Sequence, residues 1–196
     1  MPESAILKSV LPLINDDSKV LQVAFGSQNV KPGEKVPKGR KSDHISLQES
    51  PSVCSVYTSL TRSPSEAQGI PTIAWNGTSA QKLIVICLDV DAPFPSFAPL
   101  SPALHWLQDS FTASSNGELV SSEPAIAFWA GPGPPPISGP HRYIFLLYEQ
   151  PADFDAKLFV KASGYGIRDR MRWNFSKFEK QAKLGSAVAA TYFLSN

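Results

Sequence analysis

Apolar residues recur along this chain mostly with a period of two or in short unbroken runs, which points to strands more than to helices. Leu21, Val23 and Phe25 alternate with Gln22 and Ala24, predicting a half-buried strand. Residues 70–75 predict another, closed by an Asn76-Gly77 turn. The run LIVICL, residues 83–88, has no polar position at all, as expected of a strand covered on both faces. Further strands are predicted at 53–59, 104–107, 125–130, 142–148, 157–161 and 188–193. Helical periodicity is confined to two places. Ser4 can cap a short helix within residues 1–13, whose periodic stretch (5–11) carries Ile6, Leu7, Val10 and Leu11 on one face and ends near Pro12. Asn174 caps a second helix over 174–184, where Phe175, Phe178 and Ala182 share a face and Gly185 stands at the C′ position. Many short strands, proline-rich turns and two peripheral helices predict a single mainly β domain, sandwich-like, over residues 1–196. There is no internal repeat and no linker.

Composition narrows the partners. With 196 residues, 42% apolar and 18% charged, the chain can bury a sizeable core and is of globular type. A net charge of +1 gives no electrostatic reason to expect nucleic acid or an anionic membrane. The N-terminus lacks a signal-peptide pattern and no apolar run approaches the ~20 residues that span a bilayer, so a cytoplasmic location is expected. The two cysteines, Cys54 in a Ser-rich segment and Cys87 inside LIVICL, predict no structural disulfide. The basic segment 31–41 reads as a solvated loop.

The candidate chemistry lies around two of the three histidines. His44 sits in the polar stretch KSDHIS, whereas His105 and His141 each flank a strand of apolar residues. LIVICL empties into Asp89-Val90-Asp91-Ala92-Pro93, two carboxylates at i and i+2 that leave the strand toward one side. They either cap the loop by accepting backbone N–H bonds or orient an imidazole beside a ligand. No metal site is indicated, since HExxH and paired CxxC are absent, and no cofactor motif is found. Ser138-Gly139-Pro140 lacks the strand-turn-helix context of a nucleophile elbow.

Taken in order, Asp89-Val-Asp91-Ala-Pro93, Leu104-His105-Trp106 and the stretch GPGPPPISGPHRY (131–143) resemble one family, the phosphatidylethanolamine-binding proteins. Its members include RAF kinase inhibitor proteins, plant flowering-time regulators and fungal carboxypeptidase Y inhibitors. GPHRYIFLLYEQP and the ending NFSKFEKQAKLGSAVAATYFLSN carry the likeness furthest, and the N-terminal part is nearest to the fungal inhibitor branch. The resemblance implies a large central antiparallel sheet packed on a smaller one, with an anion pocket lined by Asp89, Asp91, Pro93, His105, Pro135, His141 and Tyr143. Arg142, alternating with Tyr143, is expected to make structural bonds behind the loop. The family's DPDAP is here DVDAP, and Ala103-Leu104 replace the aromatic or cysteine that often precedes the pocket histidine, which should enlarge the pocket or make it more apolar. The animal members' C-terminal helix has no counterpart before Asn196, which argues against kinase regulation.

Three functions follow from the resemblance. The first is a non-catalytic binder of a small phosphate- or carboxylate-bearing ligand. The second is a fungal secondary-metabolite enzyme that cyclises, couples or dimerises an unsaturated acid or anhydride, with Asp89, His105 and His141 as its catalytic groups and no cofactor. The third is a serine carboxypeptidase inhibitor docking through its N-terminal region. The expected partners are accordingly a small anion and a carboxypeptidase or another pathway protein.

Overall fold

A computed structural model describes residues 3–37 and 67–196, with side chains from Ile6 onward. His44, Cys54, the strand expected at 53–59 and the end of the basic segment lie outside the described residues.

Two antiparallel sheets form the frame. The larger has the order β6-β5-β4-β7-β8, built from β4 (Leu83–Asp89), β5 (Ala103–Ala113), β6 (Leu119–Val120), β7 (His141–Glu149) and β8 (Ala189–Ser195). The smaller has the order β2-β1-β3, from β1 (Gln22–Phe25), β2 (Gln28–Val30) and β3 (Thr72–Ala74). The helices are α1 (Glu3–Ile14), α2 (Ile167–Arg170) and α3 (Phe175–Gln181).

The unbroken apolar run of β4 has the cause its pattern suggests. Val85 and Cys87 point into a core shared with the small sheet, against Phe25, Trp106, Phe145 and Phe193. Ile84, Ile86 and Leu88 point the other way, under Ile6 and Val10 of α1 and Phe175 and Phe178 of α3. Both faces of the large sheet are therefore covered, and all seven residues of β4 are buried. Cys87 is a buried free thiol whose pKa is driven up by burial and then by the charge of Asp89.

Several elements differ from the sequence expectation. Residues 125–130 form no strand: their backbone meets β5 through the isolated Leu107–Ala127 pair and the Ala130 N–H to His105 C=O bond. Pro124 on one side and the prolines from Pro132 on the other remove the donors a ladder needs. Residues 157–161 are likewise not a strand, because Asp155 accepts from the Lys157 N–H at 3.0 Å and starts a short 3₁₀ turn at Ala156–Leu158. At the end of α3 the left-handed position falls on Lys183 (φ 53°) and not on Gly185. Asn174 does cap α3, accepting from Lys177 N–H at 2.9 Å.

The pairing of β4 with β5 has two irregularities. Cys87 faces Trp106 while Leu88 faces Leu104, so His105 is one extra residue in the ladder. Val85 faces Gln108 while Leu83 faces Phe111, so the Asp109–Ser110 pair stands opposite Ile84 alone. Each is a β-bulge, a device that re-aims a side chain out of strict alternation.

Candidate anion-binding site

The site forms where β4 ends, β5 begins and β7 begins. Asp89 closes β4, and its Cα partner across β7 is Tyr143. The His105 bulge turns that ring out of alternation, edge-on to Tyr143 with ring centroids 4.9 Å apart. His141 and Tyr143 lie two apart on one face of β7, their rings stacked at 6.5 Å. The structure thus brings Asp89, His105, His141 and Tyr143 together. Pro93 touches the group through its carbonyl, and Pro135 accepts the Ser138 N–H at 2.9 Å within the adjoining loop.

Most of these polar groups are already committed to one another. Asp89 Oδ1 accepts from the Asp91 N–H at 2.8 Å, and Oδ2 accepts from His141 Nδ1 at 2.8 Å. Nε2 of His141 faces the Pro93 carbonyl at 3.1 Å and Ser138 Oγ at 2.8 Å. The Ser138 hydroxyl donates to the Gly139 carbonyl at 3.0 Å, so it can only accept from the histidine. Both ring nitrogens therefore meet acceptors, which calls for an imidazolium. Burial of this ring, 1% exposed, pulls its pKa down, but the bond to Asp89, the Asp89 charge, the Pro93 carbonyl and the Asp91 charge more than offset it. The net shift is upward.

The distances along Ser138, His141 and Asp89 match those of a nucleophilic triad, but the protons run the wrong way. A protonated Nε2 cannot take the serine's proton, and the Ser138 side chain is buried.

Asp91 faces elsewhere. It is fully buried and accepts from Arg142, from the backbone N–H at 2.7 Å, from Nε at 2.8 Å and from Nη2 at 2.5 Å. This bidentate pair anchors the first turn of the loop to β7.

Two polar atoms of the cluster have no such commitment. His105 donates from Nδ1 to the Ala130 carbonyl at 2.5 Å, which leaves Nε2 with its lone pair. Burial lowers the pKa of His105, against the opposing pull of the Asp89 charge and the Ala130 bond, and the Arg170 and His141 charges push it further down. The Tyr143 hydroxyl is wholly buried with no hydrogen bond of standard geometry. Its pKa is raised by burial first and then by the Asp89 charge, with the Gly133 amide the one group opposing.

Two contributors were not foreseen from sequence. Ser138 completes the shell of His141. Arg170 of α2 donates to the carbonyls of Leu104 and His105 at 3.1 Å, of Phe128 at 2.8 Å and of Tyr165 at 3.1 Å, clamping the bulge from outside. Nothing local in the sequence marks either role, since both depend on loops meeting in space.

The Gly-Pro loop also has a reason for its first glycine. A Cβ on Gly131 would lie 2.8 Å from the backbone Cα of Gln68, whose side-chain amide donates to the Pro132 carbonyl.

A family model for phosphatidylethanolamine-binding proteins matches residues 26–193. The chain belongs to the phosphatidylethanolamine-binding protein family. It is 31% identical over 133 residues to Protein MOTHER of FT and TFL1 homolog 2 of Oryza sativa subsp. japonica, covering 67% of this chain and 70% of that protein. It is 32% identical over 123 residues to phomoidride biosynthesis cluster protein N of Talaromyces stipitatus, 60% of each chain. To the carboxypeptidase Y inhibitor of Saccharomyces cerevisiae it is 40% identical over 100 residues, 47% of this chain and 40% of the inhibitor. The matches to these last two span less than two thirds of their length.

Solved structures agree on the fold. The carboxypeptidase Y inhibitor complexed with its cognate proteinase aligns at TM-score 0.67 and 22% identity, over 99% of this chain and 91% of that one. A phosphatidylethanolamine-binding protein from Plasmodium vivax aligns at TM-score 0.60 and 14% identity, over 97% and 92%.

Within the family pattern, the DVDAP variation has a structural counterpart. Where the pattern has a proline, Val90 supplies an N–H that donates to the Arg142 carbonyl at 3.2 Å, and its side chain is buried in the outer core. Among the described residues no helix is long and apolar enough to cross a membrane.

Proposed function

We propose that this family member binds a small phosphate- or carboxylate-bearing ligand at His105 and Tyr143. Asp89, Asp91 and His141 hold the site in shape, and Pro93 and Pro135 wall it. The observation that carries this reading is the division of labour among the polar atoms. Among the described residues His105 Nε2 has no hydrogen-bond partner, and the Tyr143 hydroxyl has none of standard geometry, with the Gly133 amide beside it. An anionic oxygen would accept from the Tyr143 hydroxyl and would meet either a proton on Nε2 or a lone pair able to take the ligand's own proton.

Binding is therefore coupled to protonation of His105. Its pKa is lowered in the free protein, and a bound anion raises it, so the complex holds more protons than the free protein. Affinity then falls as pH rises through the interval between those two values. Acetate, whose own charge is constant above about pH 6, isolates the effect. Titration of acetate or inorganic phosphate should shift the His105 and Tyr143 NMR signals, and acetate should bind at least severalfold more weakly at pH 8 than at pH 6. Unperturbed signals, or a His105→Ala variant that binds as well as the parent, would sink the reading.

The relative in the Talaromyces phomoidride cluster supports a catalytic version of the same site. In that version His105 Nε2 takes a proton from the carbon conjugated to the carbonyl of an unsaturated acid or anhydride, and the C–H electron pair moves onto the carbonyl oxygen. The Tyr143 hydroxyl donates to that enolate oxygen, and Asp89 with His141 keeps the wall in place. In a reconstituted pathway His105→Ala should abolish the product; unchanged product rejects it.

The inhibitor relative and its proteinase complex support a carboxypeptidase partner. In α1, Ile6 and Val10 are buried in the outer core while Leu11 is 53% exposed. Leu11→Glu should weaken carboxypeptidase inhibition at least tenfold without changing the thermal midpoint, whereas undiminished inhibition argues against docking through this helix.

A further inference from the structure

The second bulge of β5 lies at the opposite end of the sheet from His105, beside a groove of about 880 Å³. The groove opens between the residues that lead into β4, the far half of β5 and the chain that follows β7. Its size is within the range of small-molecule sites, roughly 300–1,000 Å³.

The Asp109 carboxyl lines this groove and is only 5% exposed. One oxygen accepts from the Ser110 hydroxyl at 3.1 Å, and the other accepts from no donor among the described residues. Among the described residues no cation lies within ion-pair distance: Lys82 and Lys157 line the same groove without pairing to Asp109. A buried carboxylate with one neutral donor is unfavourable unless something else compensates it.

The backbone holds this arrangement under strain. Ser110 has φ 60°, a conformation costing a non-glycine residue about 1 kcal/mol. Its N–H donates to Gln150 Oε1 at 2.7 Å, and the Ser121 hydroxyl donates to the Asp109 carbonyl at 2.9 Å, so the bulge is tied on both sides. A braced bulge that sets a nearly buried acid in the wall of a groove is a built feature.

We infer that the groove is a second binding site, separate from the histidine pocket, for a small organic cation on an apolar body. An ammonium or amidinium would face Asp109 as its counter-ion. The body would lie along Ile126 and Phe154, both of which line the groove. Glu123 and Asp155 also line it, so acidic groups outnumber the two lysines and the local field favours a cation.

Benzamidine and its uncharged isostere benzamide provide the probes. Benzamidine should shift the amide signals of Asp109, Ser110, Ile126 and Phe154 at millimolar concentration or below, with benzamide binding at least tenfold more weakly. Asp109→Asn should cost benzamidine at least tenfold while the thermal midpoint does not fall and the phosphate response of His105 stays unchanged. Equal binding of the two probes to the parent protein overturns the inference without any variant. So does an absence of benzamidine shifts at ten millimolar, their clustering away from this groove, or a folded Asp109→Asn variant that binds as well as the parent.

Discussion

His141 is held on both sides by acceptors and its pKa is raised, so its partner Asp89 is more than a spacer. Removing Asp89 takes away the group that favours the protonated ring, so His141 sheds its proton more readily. Asp89→Asn should therefore lower stability in urea unfolding and drop the His141 pKa below its present raised position. An NMR titration that finds the His141 pKa unmoved would count against the pair. The pH dependence has a definite sign. With its folded pKa raised, His141 contributes stability that is complete below the unfolded histidine value of about 6.5 and is lost as pH rises through the folded value. His105 has the opposite sign, because its folded pKa is lowered: its contribution is present above the unfolded value and disappears as pH falls through the folded one. At this scale the sequence named the residues of the cluster but not their division of labour. The two aspartates at i and i+2 left open whether they would cap the loop or orient an imidazole; Asp89 does both, accepting from the Asp91 N–H and from His141, while Asp91 takes Arg142.

Elements were legible where a single periodicity ruled and illegible where a loop or an extra residue intervened. LIVICL announced a two-faced strand because both its neighbours are apolar layers. Residues 125–130 have strand-like composition, yet prolines at the flanks leave them only isolated contacts with β5. The bulges were invisible because alternation assumes one residue per step, and β5 breaks that rule at His105 and at Asp109–Ser110. The end of α3 shows the same limit. Gly185 looked like its stop signal, but the chain turns left-handed at Lys183, two residues earlier. Lys183→Gly should consequently raise stability by up to about 1 kcal/mol, read as a higher thermal midpoint. The Lys183–Asp153 ion pair lost in the exchange is exposed and worth little. A lower midpoint would show that the left-handed turn is not a source of strain.

For the molecule as a whole, the central sheet is sealed by a small sheet on one side and by helices on the other, so its middle strands can open only when both layers leave. Amides of β4 should exchange with the free energy of global unfolding, and those of the three-residue β2 at the edge of the small sheet should exchange sooner. The reverse order in hydrogen exchange would mean that the layers do not unfold together. The global architecture was the most legible level of all, since the HRY motif and the apolar strand after it pointed to a family whose frame this chain shares. One property of that frame reaches beyond the folded state. Across the β4–β5 pair, residues 103–111 stand opposite residues 83–89, nine against seven, and the two surplus residues lie one beside the histidine cluster and one beside the groove. Loss of codon 110 would restore an even ladder at that end and leave Phe111 opposite Leu83, with the hydrophobic layers undisturbed. The register of this strand against β4 can therefore be reset by inheritance of a single triplet, without redesign of the core beneath it.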